Sequence, residues 1–138
     1  MPIDVDLSHF PLLFTKFDGA QTVEEVDAYF ERMAPVHALK QPWVGVTLIK
    51  SYARDTRVIR RMADWMKKTE EPTRQYCLAT AMVSPSAGFR FLFGSVLLIQ
   101  PLACPYAVCA DLDDALAFVR KKAAERALKL PAALPSWT

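Results

Sequence analysis

From Trp43 to Ile49 the chain reads Trp-Val-Gly-Val-Thr-Leu-Ile, without a charge and directly after Pro42. A run of this kind does not alternate between apolar and polar positions, so it offers no face to water. It fits the centre of a sheet covered on both sides, as strands are in parallel α/β domains. Tyr76 to Val83 is a second run of the same character. Strands buried on both faces need helices to cover them, and that requirement sets what the remaining segments must supply.

They supply amphipathic helices. Thr22-Val23-Glu24-Glu25 has the form of a capping box, with the Thr22 hydroxyl accepting from an orphan amide and Glu25 reaching back. Val26, Tyr29, Phe30 and Met33 follow at helical spacing, with Pro35 near the end. A second helix is predicted from about Asp55 to Glu70, with Val58, Met62, Trp65 and Met66 as its apolar stripe and Pro72 just past its end. Ser84-Pro85 predicts a third helix start, Ser84 as N-cap and Pro85 in first position, running to about Ile99 before Pro101. Tyr106 to Ala110 is a short strand, and Asp111 caps a last helix with Leu112, Ala115, Leu116 and Val119 on its stripe. At the other end, Ile3 to Leu7 reads as an edge strand and Leu12 to Phe17 as a β run closed by Asp18-Gly19, and the two suit a hairpin.

This alternation predicts a single α/β domain with a four- to five-stranded, mostly parallel sheet and about four helices. Residues 1–129 form that domain in this reading, and residues 130–138, with Pro131 and Pro135, form a tail. A chain of 138 residues with 52% apolar content can bury a proper core without staples. The net charge of +2 is too small to indicate nucleic acid or a membrane surface. The longest apolar stretch, Phe91 to Ile99, is far short of the roughly 20 residues a transmembrane helix needs. Three cysteines, Cys77, Cys104 and Cys109, with irregular spacing and no CxxC argue against a disulfide framework and against a zinc knuckle. With no secretory leader at Met1 to Asp6, the expected location is the cytoplasm.

Catalytic chemistry finds little to work with. His9 and His37 are the only histidines, no GxSxG occurs, and both read as ordinary surface residues. Cys77 is expected to pack as a small apolar side chain, and Asp111 near Cys109 would oppose a thiolate there. The acidic pairs Glu24-Glu25, Glu70-Glu71 and Asp113-Asp114 are sequence neighbours, and two of them sit in first turns of helices, where negative charge is favoured anyway. Ser84 to Gly88 reads as a capped helix start rather than an anion site. No catalytic residue, metal ligand or cofactor site is therefore predicted, and the expectation is a non-enzymatic chain.

Two helices are lopsided in ways that matter for binding. Arg54, Arg57, Arg61 and Lys68 share one face of the second helix, opposite Val58, Met62 and Trp65. That is a solvated face or a docking face for an acidic protein or phosphorylated ligand. The third helix is apolar all round. Phe89, Leu92, Phe93 and Val96 are the residues expected to meet a second subunit, or else to line a site for an apolar ligand. Self-association as a homodimer is the preferred reading, because most soluble oligomers are symmetric.

Several stretches carry a family likeness: Ala63-Asp64-Trp65-Met66, the strand Cys77-Leu78-Ala79-Thr80-Ala81-Met82-Val83, the junction from Leu98-Ile99-Gln100-Pro101 to Pro105-Tyr106, and Asp111 to Phe118. In these the chain, from about Val5 to Lys122, resembles small bacterial proteins of the SpoIIAA-like fold, which is shared with STAS and SEC14-type domains. The resemblance implies a regulatory protein–protein interaction module of STAS-like type, or a carrier of a small apolar ligand or lipid of SEC14-like type. STAS antagonists carry a phosphorylated serine in an Asp-Ser-Ser/Thr-Gly turn. The corresponding place here reads Lys50-Ser51-Tyr52-Ala53-Arg54, so the resemblance marks Ser51 as a candidate phosphosite without the flanking aspartate and glycine.

Overall fold

The computed structural model describes residues 3–19, 21–51, 55–99 and 101–135, apart from the side chains of Leu92, Val96 and Ile99. The chain forms β1 (Ile3–Asp6), β2 (Leu12–Phe17), α1 (Val23–Leu39), β3 (Trp43–Ile49), α2 (Thr56–Lys68), α3 (Glu70–Tyr76), β4 (Cys77–Val83), α4 (Ala87–Ile99), β5 (Tyr106–Cys109) and α5 (Leu112–Glu125). The five strands make one sheet in chain order, β1-β2-β3-β4-β5. β1 and β2 pair antiparallel, Ile3 opposite Phe17 and Asp6 opposite Phe14. The three remaining pairings are parallel. The architecture is therefore a small α/β domain with a mixed, mostly parallel sheet and five helices.

The register explains why β3 carries no polar face. Leu12 pairs with Val44 and Phe14 with Val46, and these in turn stand beside Ala79 and Ala81 of β4. Leu12, Phe14, Val44, Val46, Ala79, Ala81 and Val83 form one core with Ala115, Leu116, Val119 and Ala123 of α5. Alanines on both sides of this contact let the helix lie close to the strands. The second core joins Leu13 of β2, Trp43 of β3 and Cys77 of β4 to Met33 and Val36 of α1, with Trp65 of α2 packed against it. A sheet in chain order joined by right-handed crossovers places its connecting helices on one face, and α1, α2 and α3 gather there while α5 closes the other. Between β1 and the first two helices, Ile3, Val26 and Val58 make a third small core. The Tyr29 phenol meets the Thr15 hydroxyl on the α1 side, and burial pushes its pKa up to about 12.

The helix boundaries differ from expectation in two places. The second predicted helix ends at Lys68, where both the amide and the hydroxyl of Thr69 donate to the Trp65 carbonyl, and a separate helix, α3, follows at once. Pro72, expected as a stop, lies in the first turn of α3. Amides there have no intrahelical partner to lose, so proline is tolerated. At α4 the hydroxyl that caps is Ser86, which accepts from the Phe89 amide, while Ser84 accepts from the Ser86 amide and Pro85 stays outside the helix. Elsewhere the caps are as read. Thr22 accepts from the Glu25 amide and Asp111 from the Asp114 amide. The return half of the first box is missing, since Glu25 Oε2 is buried without a hydrogen-bond partner. After α5, Leu128 and Leu130 fold back onto the α5-side core, and Pro135 is buried.

Candidate functional site

α4 is the most apolar helix of the fold, and the structure sorts its side chains. Phe89 and Leu97 turn inward, 9% and 3% exposed. Phe89 stacks on Phe93 with ring centroids 5.5 Å apart, which places both of these expected interface residues in one intramolecular contact. Arg90 donates to the Ser84 carbonyl, and the Tyr106 hydroxyl donates to the Leu97 carbonyl, so both ends of the helix are tied to the sheet. Among the described side chains the large outward ones are Phe91 and Leu98, 80% and 84% exposed. They lie seven positions apart, two helical turns or about 10 Å along the same face. Between them on that face are Gly94 and Ser95, whose hydroxyl folds back onto the Phe91 carbonyl. The stripe is thus large, small, small, large, with no charge on it. The side chains of Leu92 and Val96 lie outside the described residues.

Sequence periodicity could not separate Phe89 from Phe91, because every position around the helix is apolar. Counting from Leu97, which must face the sheet to be buried, would have placed Phe89 and Phe93 inside at four-residue steps and left Phe91 outside.

The row on α2 is less free than its composition implies. Arg54 lies outside the described residues. Arg57 pairs with its own N-cap, Asp55, at 2.9 Å. Arg61 reaches Asp27 of α1 at 3.7 Å. Two shallow hollows follow the α1–α2 seam, of about 520 and 360 Å³. The larger is lined by Arg57, Arg60 and Arg61 against Glu24 and Asp64. The smaller has Arg61 and Lys68 against Asp27 and Asp64, with Phe30 and Trp65 as its floor. Of the described cations expected to meet an acidic partner, Arg57 and Arg61 therefore already pair with carboxylates.

Ser51, just past β3, is engaged: its hydroxyl accepts from the Gly19 amide and donates to the Gly19 carbonyl. Gly19 sits at φ +85°, a conformation that only glycine adopts without strain, so the serine clasps a turn that the sequence had to build with glycine. His9 lies beside Ser8 and Asp6, but the Ser8 hydroxyl donates to Asp6, which also accepts from the Ser8 amide. This is a turn motif in which no base takes the serine proton. His37 is not a surface residue in the sense expected: both ring nitrogens are buried. The half-buried Cys109 thiol is pushed above its ordinary pKa by burial and by the Asp114 and Asp111 carboxylates. Among the described residues there is no group of three or more metal-ligating side chains and no helix long and apolar enough to cross a membrane.

These observations define a small α/β domain whose most distinctive surface is an apolar helix face. No family model, no curated protein and no solved structure matches the chain.

Proposed function

We propose that the chain is a non-enzymatic interaction module of STAS-like type that pairs with a second copy of itself through α4. The observation that carries this reading is the exposure of Phe91 and Leu98 on one uncharged stripe. Two such helices crossing antiparallel about a two-fold axis would set Phe91 of each copy over Leu98 of the other. Gly94 and Ser95 would meet at the crossing point, where small side chains let helix backbones approach closely. A self-complementary patch is what a two-fold dimer requires. Burying large apolar side chains stabilises by about 25 cal/mol per Å² removed from water, which favours covering this stripe over leaving it wet.

The test is molar mass by light scattering after size-exclusion chromatography across a concentration series, on the native chain and on a Phe91→Ser/Leu98→Ser double variant. A concentration-dependent dimer that the double variant abolishes, with unchanged circular dichroism, is the expected result. A native chain that stays monomeric at every concentration, or a dimer the double variant leaves intact, would sink the proposal.

A further inference from the structure

Cys77 opens β4 and Cys104 lies in the loop that leads from α4 into β5, 27 positions apart in sequence. Their sulfurs stand 3.3 Å apart, with the Cys77 thiol donating to Cys104. The backbones that carry them are held together independently. Thr80 donates to the carbonyl of Pro105, the residue after Cys104, at 3.0 Å. Thr80 also pairs with Tyr106 in the β4–β5 ladder. Cys77 and Cys104 also share one buried cluster, with Leu13, Met33, Val36 and Trp43. Closing them to a disulfide asks the sulfurs to approach from 3.3 Å to about 2.05 Å.

We propose that Cys77 and Cys104 are a redox pair that closes to an intramolecular disulfide when the protein meets a peroxide, while Cys109 takes no part. Cys104 is the attacking sulfur. It is the more accessible of the two, 7% exposed against 3%, and it is the acceptor of the thiol hydrogen bond. That hydrogen bond holds the Cys104 thiol below its ordinary pKa, and the same bond together with burial holds Cys77 well above its own. The Cys104 thiolate attacks one oxygen of hydrogen peroxide, the O–O bond breaks, and the hydroxide that leaves is protonated to water. The product is a sulfenic acid on Cys104. The Cys77 sulfur then attacks the Cys104 sulfur, displacing hydroxide, which takes up the Cys77 proton and leaves as a second water. Two thiols and one peroxide thus yield one disulfide and two waters.

The bond would close a loop containing all of β4 and α4, pinning the α4–β5 junction to the start of β4. This pairing was not visible in the sequence, where an odd number of cysteines at irregular spacing spoke against any framework. The proposal does not depend on self-association through α4.

The native reduced chain is treated with hydrogen peroxide, quenched, denatured and alkylated with N-ethylmaleimide, then weighed intact and mapped as non-reduced peptides. The expected result is a single maleimide adduct on Cys109, a Cys77 peptide linked to the Cys104 peptide, and return to three adducts after reduction with dithiothreitol. The variants Cys77→Ser and Cys104→Ser supply the second arm. Cys77→Ser should accumulate a sulfenic acid on Cys104 that dimedone traps, whereas Cys104→Ser should give none on Cys77. Three maleimide adducts after peroxide, a disulfide that includes Cys109, or dimedone labelling at Cys77 in place of Cys104 would overturn the proposal.

Discussion

His37 stands edge-on to Trp43 with ring centroids 6.2 Å apart, and both His37 nitrogens and Trp43 Nε1 are buried without hydrogen-bond partners. Three polar atoms at the junction of α1 and β3 therefore lose water without gaining a partner. The Trp65 ring, 5.9 Å from His37, adds to the cover.

The consequence is a dependence of stability on pH with a definite sign. Burial lowers the His37 pKa from its usual 6.5. Below pH 6.5 the unfolded chain takes up a proton that the folded chain resists, so this contribution falls as pH drops from 6.5 to the folded-state value, and is flat above 6.5. His37→Leu removes both unpaired nitrogens and the titration. It should raise stability by about 1 kcal/mol at pH 7.5 and by more at pH 5.5. Urea unfolding at the two values checks this, and an unchanged difference between native and variant at both would show that His37 is hydrated in solution.

A second prediction concerns Gly45 in the middle of β3. A Cβ built there would lie 3.2 Å from Cζ3 of Trp43 and 3.5 Å from the Thr80 hydroxyl. Residues two apart in a strand share a face, and the Trp43 indole lies back over the glycine. The indole is 7% exposed and packed against Met33 and Val36, so it has little room to retreat. Gly45→Ala should therefore destabilise by about 1–2 kcal/mol despite the better strand propensity of alanine, read as a lower urea midpoint at unchanged slope.

The seam between the first two helices gives a third. Trp65 stacks on Phe30 with centroids 4.7 Å apart and planes 8° from parallel, and meets Tyr29 at 5.4 Å. Trp65→Ala should cost about 2–3 kcal/mol, below the range for a fully buried tryptophan because this ring is half-exposed. Trp65→Phe keeps a stacking partner and should cost about 1 kcal/mol. Equal losses for the two would mean that indole size, not stacking, holds the seam.

How much of this was legible in the sequence depended on whether one residue carried the signal. β3 and β4 were read because an uncharged run needs no partner to be recognised, and α5 because Leu112, Ala115, Leu116 and Val119 keep helical period behind a capping aspartate. The break between α2 and α3 was missed because Pro72 looks the same just past a helix as in its first turn; only the Thr69 bonds to Trp65 distinguish the two. The outward face of α4 was missed because a helix apolar all round has no period to read. The partners of Arg61 and of Cys77 come from distant segments, Asp27 on α1 and Cys104 after α4, and no local pattern announces them.

The last prediction separates the fold of α4 from its use. Among the described residues nothing lies within 4 Å of a Cβ built on Gly94, so alanine meets no obstacle from them. Replacing a helical glycine by alanine lowers the entropy of the unfolded chain and should stabilise the isolated monomer by about 0.5–1 kcal/mol. If two α4 helices cross at Gly94, the added methyl group holds their backbones apart, and the dimer should weaken even as the monomer strengthens. Urea unfolding at low protein concentration measures the first effect, and molar mass across a concentration series measures the second. A more stable monomer with unaltered association would place Gly94 away from the crossing point and move the contact towards the Phe91 or Leu98 end of the stripe. A less stable monomer would mean that the space around Gly94 is filled in solution.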